Sequence, residues 1–320
     1  MKGPVVAPIN LGCCPHEPRC VLCPPTSHTQ EPETIKALLD AIRRDRSPEG
    51  ALTVGFFGGP PPTPEQVDAI GGLPFVARVR PDLLTRADAA RLVDAGATSI
   101  ELDLLSFDDT LTKAAGRHYR SDLVDLMCAG LSGKVRVVGV LAPGLPGSSF
   151  DHALRDAVHA CERLDAVRIH PVLVLEGSRL ARLYASGGYL PLTVPDAVTV
   201  CRAMLDVLEA NGVDVIRVGV QAGPDEAGRP IAGPVHSSLR ELVEARRTLD
   251  RLRGLLEQVP AGARVDLRIA PADETRTRGP LNLSLRTLRA EFGFEEVRVV
   301  IDPELPRGTV EIGWTVGAIQ

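Results

Sequence analysis

The chain has 320 residues, 44% apolar and 24% charged, with a formal net charge of −5. That balance excludes disordered and collagen-like classes and allows one large or two modest cores without disulfide staples. No apolar run reaches the ~18 residues of a membrane-spanning helix, and no secretory signal is visible, so a cytoplasmic protein without membrane contact is expected. An acidic balance with only 3% aromatics argues against nucleic acid as a partner. Strands are predicted at 5–10, 52–57, 75–80, 99–104, 135–142, 166–174 and 214–220. Helices are predicted between them at 33–44, 64–70, 86–95, 121–131, 149–164 and 194–211. This alternation implies parallel strands with helices packed outside, as a complete or partial barrel or as a doubly wound open sheet. After about residue 221 a Gly/Pro/Asp-rich connector leads to a charged helix at 239–257, a strand at 264–269, a helix at 284–292 and strands at 296–302 and 309–315. The domains expected are therefore 1–225, a βα barrel, and 226–320, a small α+β extension.

Strand side chains alternate between faces. Glu101, Asp103 and Leu105 share one face, opposite Ile100, Leu102 and Leu104. Arg168 and His170 oppose Val167 and Ile169, while Arg217, Gly219 and Gln221 oppose Ile216, Val218 and Val220. Arg78 and Arg80 also share a face. If helices cover the apolar side, the polar residues line the lumen, which a dry closed barrel would not tolerate. An open barrel holding a polar ligand accounts for them. The plainer alternative is a solvent-facing sheet with ion pairs across it.

Four of the seven cysteines, Cys13, Cys14, Cys20 and Cys23, fall in one short loop after the first strand. In a cytoplasmic chain such clustering points to a metal rather than to disulfides. Cys14, Cys20 and Cys23 with His16 or His28 would complete a zinc site. Three thiolates on an iron–sulfur cube would leave one iron open for substrate or cofactor. Cys128, Cys161 and Cys201 fall on predicted helices and read as buried apolar residues.

The loop resembles that of radical SAM enzymes, and most closely that of small bacterial proteins related to the Elongator catalytic subunit and to oxygen-independent coproporphyrinogen oxidase. Leu11-Gly12 with Cys14-Pro15-His16 echoes their first-strand motif, and the Pro-His selects Cys14 over Cys13 as the first ligand. Further echoes follow in order. They are Phe56-Phe57-Gly58-Gly59-Pro60, Arg80-Pro81-Asp82, Ser99-Ile100-Glu101-Leu102 with Ser106-Phe107-Asp108-Asp109, and Pro143-Gly144-Leu145-Pro146-Gly147. Val167-Arg168-Ile169-His170-Pro171, Glu176-Gly177-Ser178 and Tyr189-Leu190-Pro191-Leu192 come next, and Val215-Ile216-Arg217-Val218-Gly219-Val220-Gln221 ends the stretch. Weaker matches stand at Gly233-Pro234-Val235-His236 and Leu305-Pro306-Arg307-Gly308.

The resemblance implies a partial, six-stranded (β/α)6 TIM-type barrel. It also implies a 4Fe–4S cluster on Cys14, Cys20 and Cys23, and S-adenosylmethionine as cofactor, with its amino and carboxylate groups on the open iron. Reductive cleavage would give a 5′-deoxyadenosyl radical, with the electron supplied by a partner such as ferredoxin or flavodoxin. Gly58 and Gly59 would approach the methionine part. By their own chemistry Glu101 could accept from cofactor or substrate hydroxyls, and Arg80, Arg168 and Arg217 could hold a carboxylate or phosphate or, alternatively, pair structurally with Glu101 or Asp103. Three positions depart from the family pattern: Leu105 stands for Gln, Val140 for a polar residue and Pro60 for a polar residue. An acetyltransferase domain of the Elongator type is not expected, which also weakens a tRNA substrate. The alternatives are a diverged, non-catalytic barrel holding zinc or a cluster, and a metal-free barrel using Glu101 and Asp103 as acid and base.

Overall fold

Apolar strands and amphipathic helices alternate through most of the chain. The first unit is built from β1 (Val5–Asn10), α1 (Pro32–Asp45), β2 (Leu52–Phe57), α2 (Pro64–Asp68), β3 (Phe75–Val79) and α3 (Arg86–Asp94). It continues through β4 (Ala97–Leu105), α4 (Asp109–Ala114), α5 (Ser121–Leu131), β5 (Arg136–Leu141), α6 (Phe150–Cys161), β6 (Ala166–Ile169) and β7 (Val174–Leu175). It ends with α7 (Arg179–Ala185), α8 (Val194–Ala210), β8 (Asp214–Val218) and β9 (Pro230–Ala232). The structure is a computed structural model that describes residues 5–12, 20–24, 29–45, 52–219 and 229–316.

Seven strands pair in parallel in the order β1-β2-β3-β4-β5-β6-β8. The sheet is open, with β1 and β8 at its two ends, and is one strand longer than the six expected. It forms a partial barrel. Ile100, Leu102 and Leu104 on one face of β4 are fully buried, and α3, α5 and α8 pack against β4, β5 and β8.

The single strand expected at 166–174 is two. Pro171 has no N–H for a ladder bond, so β6 stops at Ile169, and β7 leaves the barrel sheet to pair antiparallel with β9. The helices α4 and α7, of six and seven residues, have no counterpart among the predicted elements. Both begin on a side-chain cap, Asp108 for α4 and Ser178 for α7.

The chain divides into two compact units, Met1–Ser237 and Ser238–Gln320. The second contains α9 (Leu239–Leu256), β10 (Ala263–Ile269), α10 (Glu274–Arg278), α11 (Leu283–Phe292), β11 (Glu296–Ile301) and β12 (Val310–Val316). Its three-stranded sheet runs β11-β10-β12. The inward residues Val265, Leu267 and Ile269 are fully buried, in or beside a core that Leu252, Leu256 and Leu288 complete.

Candidate functional site

The C-terminal ends of the strands carry the chemistry. Leu11 leaves β1 with its N–H on the Phe57 carbonyl at 2.7 Å, holding the start of the cysteine loop against the end of β2. Gly58 is essential to that contact. A Cβ there would lie 2.8 Å from Leu11 Cβ and 2.9 Å from the Gly12 carbonyl oxygen. Gly59 continues the turn, and its carbonyl accepts from the Arg80 N–H at 2.9 Å, tying β2 to the end of β3.

Cys13, Cys14, His16, His28 and Gln221 lie outside the described residues, so the structure describes two of the three predicted thiol ligands. Cys20 and Cys23 stand together at the mouth. Their segment is held on both sides, because the Val21 N–H donates to the Ala115 carbonyl and the Val21 carbonyl accepts from the Leu180 N–H, each at 2.9 Å. A hydrogen bond from Cys23 brings the Cys20 thiol down to about 5; burial opposes this, and the Arg117 guanidinium adds to the lowering. Arg117 itself is buried, with Nη2 2.6 Å from Asp103 Oδ2. Burial raises the Asp103 carboxyl, but the charge and hydrogen bond of Arg117 outweigh it and hold the group below its ordinary value. Two adjacent sulfurs, one favoured as thiolate, suit a thiolate-ligated metal or cluster. Among the described residues no three His, Cys, Asp or Glu side chains converge, so a cluster needs a further ligand from the loop. Cys128 and Cys201 are buried in helices, and burial raises their thiols to about 11 and about 12, so they are inert apolar residues.

Deeper in the barrel, Arg78 lies in register with Glu101, and Arg168 with Arg217, the second pair two residues further along β6 than the position in register with Glu101. Glu101 is 1% exposed and both its oxygens are bound. Arg78 reaches Oε2 with Nε and Nη2 at 3.0 and 2.9 Å. Arg168 reaches Oε1 with Nε and Nη2 at 2.9 and 2.7 Å. Arg168 crosses β5 to do so, a span of ~10 Å for two strand spacings, over Val138 and Val140. The Arg78 guanidinium also lies 5.2 Å from the centre of the Phe57 ring. His170 faces the same group, and burial, with Arg78 and Arg168 near it, lowers its imidazole to about 3. Arg80 is placed apart from Glu101. It lies just beyond β3 and clasps Asp82 with Nε at 2.9 Å and Nη2 at 2.5 Å.

Leu105 ends β4 at φ +66°, and the Ser106 N–H donates to the Leu104 carbonyl at 2.9 Å, closing a three-residue turn of the rarer hand. Such a conformation at a branched residue costs about 1–3 kcal/mol. The side chain belongs to the buried cluster of Cys20, Val21, Leu111 and Leu145. An apolar residue at this position is thus accommodated by packing against the cysteine segment. Arg117 was not among the predicted site residues. Its only signal in sequence is a polar run, Gly116-Arg117-His118-Tyr119, following the fourth strand.

Residues 164–251 match the family model described as the Radical SAM C-terminal domain. The tRNA uridine(34) acetyltransferase of Dehalococcoides mccartyi is 30% identical over 165 residues, covering 44% of this chain and 36% of that protein. By the family match the chain is similar to radical SAM proteins. The tRNA uridine(34) acetyltransferase of Methanocaldococcus infernus is 28% identical over 126 residues, covering 38% of this chain and 24% of that protein. The chain therefore spans only about a third or less of the length of these curated relatives. The archaeal Methanocaldococcus infernus Elp3 with an N-terminal deletion shares the fold of this chain at a TM-score of 0.58. Identity is 18%, over 82% of this chain and 67% of that one.

Proposed function

We propose that the protein is a radical SAM enzyme that binds a 4Fe–4S cluster through Cys14, Cys20 and Cys23. The observation that supports this best is the pair Cys20 and Cys23 at the barrel mouth, with Cys20 favoured as a thiolate by Cys23 and Arg117. When bound, the cluster and S-adenosylmethionine together would supply a 5′-deoxyadenosyl radical for hydrogen abstraction. The chain's own residues bind and orient. Gly58 and Gly59 leave the end of β2 open to close backbone approach. Arg117 neutralises thiolate charge beside Asp103. Glu101, fixed between Arg78 and Arg168, presents a rigid wall for a ligand hydroxyl or amine. Arg80 braces the end of β3 against Asp82. A reductant of the ferredoxin or flavodoxin class would deliver the electron. The tRNA named for the relatives is one candidate class of substrate.

Anaerobic reconstitution tests this reading. Iron and sulfide should bind in a ratio fitting one cluster, and reduction with S-adenosylmethionine should release 5′-deoxyadenosine. Cys20→Ala and Cys23→Ala should each abolish iron binding. Stoichiometric zinc in place of iron would overturn the proposal.

A second reading has its own support. Leu105 and Val140 present apolar, buried side chains where the family carries polar ones. A barrel that holds a cluster without cleaving the cofactor would bind iron and release no 5′-deoxyadenosine.

A further inference from the structure

The helical face of the barrel carries an apolar surface that the barrel core does not use. In the eleven residues of α5 only Ser121, Asp122 and Asp125 are polar, so apolar side chains fall on two faces of the helix. Val124, Cys128 and Leu131 make one face and are buried. Leu123, Leu126 and Met127, at i, i+3 and i+4, make the other. They line a groove of about 860 Å³ between α5 and α3, whose far wall includes Leu84, Ala90 and Val93. Leu126 is 51% exposed. A helix packed on one side needs a single apolar stripe. A second stripe, left open and edged by charge, has the character of an interaction surface.

The charges at its edge select the occupant. Arg86 and Asp94 are the first and last residues of α3, and both line the groove. Among the described residues neither makes an ion pair or a side-chain hydrogen bond. The other cations nearby are held: Arg91 by Asp88 and by the Pro62 carbonyl, and Lys134 by the Gly130 carbonyl at 2.8 Å. Arg86 and Asp94 also have the wrong signs for the ends of their own helix, where the N-terminus favours anions and the C-terminus cations. A second α3 laid antiparallel across the first reverses this. Arg86 of each copy then meets Asp94 and the C-terminal end of α3 in the other, and a parallel arrangement would set like charge against like. Arg86 and Asp94 are about 12 Å apart along the helix. Their midpoint is Ala90, an exposed and small residue that lets two helices approach closely. We propose that this groove is the interface of a homodimer, with α3 of two copies antiparallel about a two-fold axis near Ala90 and Leu126 covering the contact. The inference is independent of the metal site.

Sedimentation velocity and light scattering on the full chain, from about 1 to about 100 µM, test this. Twice the mass of one chain is expected. Leu126→Asp should raise the dissociation constant by at least about a hundredfold. Arg86→Asp and Asp94→Arg each bring like charges together at both ends of the contact, and each should raise it about tenfold. The double variant Arg86→Asp with Asp94→Arg exchanges the two signs and should return it to within about threefold of the parent. These charge variants also give the readout if Leu126→Asp does not fold. A parent that stays monomeric to about 100 µM would overturn the proposal and leave the groove to a different protein or an apolar small molecule. A dimer unmoved by Leu126→Asp would overturn it by placing the contact elsewhere. A double variant that associates no more tightly than the single ones would overturn the antiparallel pairing on which the proposal stands.

Discussion

Two sheets in this molecule carry arginine–carboxylate pairs across neighbouring strands, and they differ in what covers them. In the C-terminal unit Arg298 on β11 meets Asp266 on β10 at 2.9 Å, and Arg268 on β10 meets Glu311 on β12 at 2.9 Å and also Asp302. These groups face solvent, with the arginine side chains about half exposed. In the barrel, Arg78, Glu101 and Arg168 are arranged by the same strand alternation, yet Glu101 is sealed. An exposed pair gains little because water solvates either partner equally well. A sealed carboxylate between two guanidiniums cannot be removed without stranding charge. The pairing pattern is shared, and burial sets the two sheets apart.

The sharpest way to break the comparison is to remove one partner of the pair on each side. Glu101→Ala should destabilise the barrel by about 3–5 kcal/mol in denaturant titrations, because it removes a sealed carboxylate from between two partly buried cations. A smaller loss would mean that water reaches the lumen wall freely.

Asp156 on α6 sharpens the point from the other direction. It is buried and accepts from the Ser106 hydroxyl and the Phe107 N–H at 2.9 and 2.7 Å. Burial raises its carboxyl to about 6. The folded state therefore binds this proton more tightly than the unfolded chain does. Its contribution falls as pH rises from about 4 to about 6 and is level above that. Asp156→Asn should be more stable than the parent at pH 8 by as much as about 3 kcal/mol. That gap should close below pH 4 in thermal melts. A gap independent of pH would show that the carboxyl is not perturbed.

Next in size is a matched glycine pair. Gly58→Ala forces a Cβ into Leu11 and Gly12 and should cost about 1–3 kcal/mol. Gly313→Ala in β12 meets nothing within 4 Å and should leave the melting temperature unchanged or raise it slightly. Equal effects would remove the distinction between the packed mouth and the open sheet. The smallest effect is expected for Arg298→Ala, whose melting temperature should match the parent's within error.

Much of the barrel was legible because its strands are short β-branched runs at regular spacing, and period-two alternation put Arg78, Glu101, Arg168 and Arg217 on one face. The same alternation also gave the outer face of Ile100, Leu102 and Leu104. Arg80 was harder to place. It shares parity with Arg78, but it lies one residue beyond the end of β3, where strand alternation no longer governs and Asp82 is within reach. Arg117 was hidden for another reason. One partner, Cys20, lies almost a hundred residues earlier, the other, Asp103, lies 14 residues back across a turn and a short helix, and that helix is too short to show a hydrophobic period. Pro171 was visible in the sequence as a strand breaker, but the departure of β7 to pair with β9 depends on residues some sixty positions later.

The two hydrogen bonds on Val21 bear on the order in which the protein is assembled. The N–H is held by the end of α4 and the carbonyl by the first turn of α7, elements that lie roughly 90 and 160 residues further along the chain. The sulfurs of Cys20 and Cys23 acquire their fixed spacing only after those later elements have docked. On the proposed cluster-binding reading, metal loading would therefore follow completion of the barrel rather than seed it.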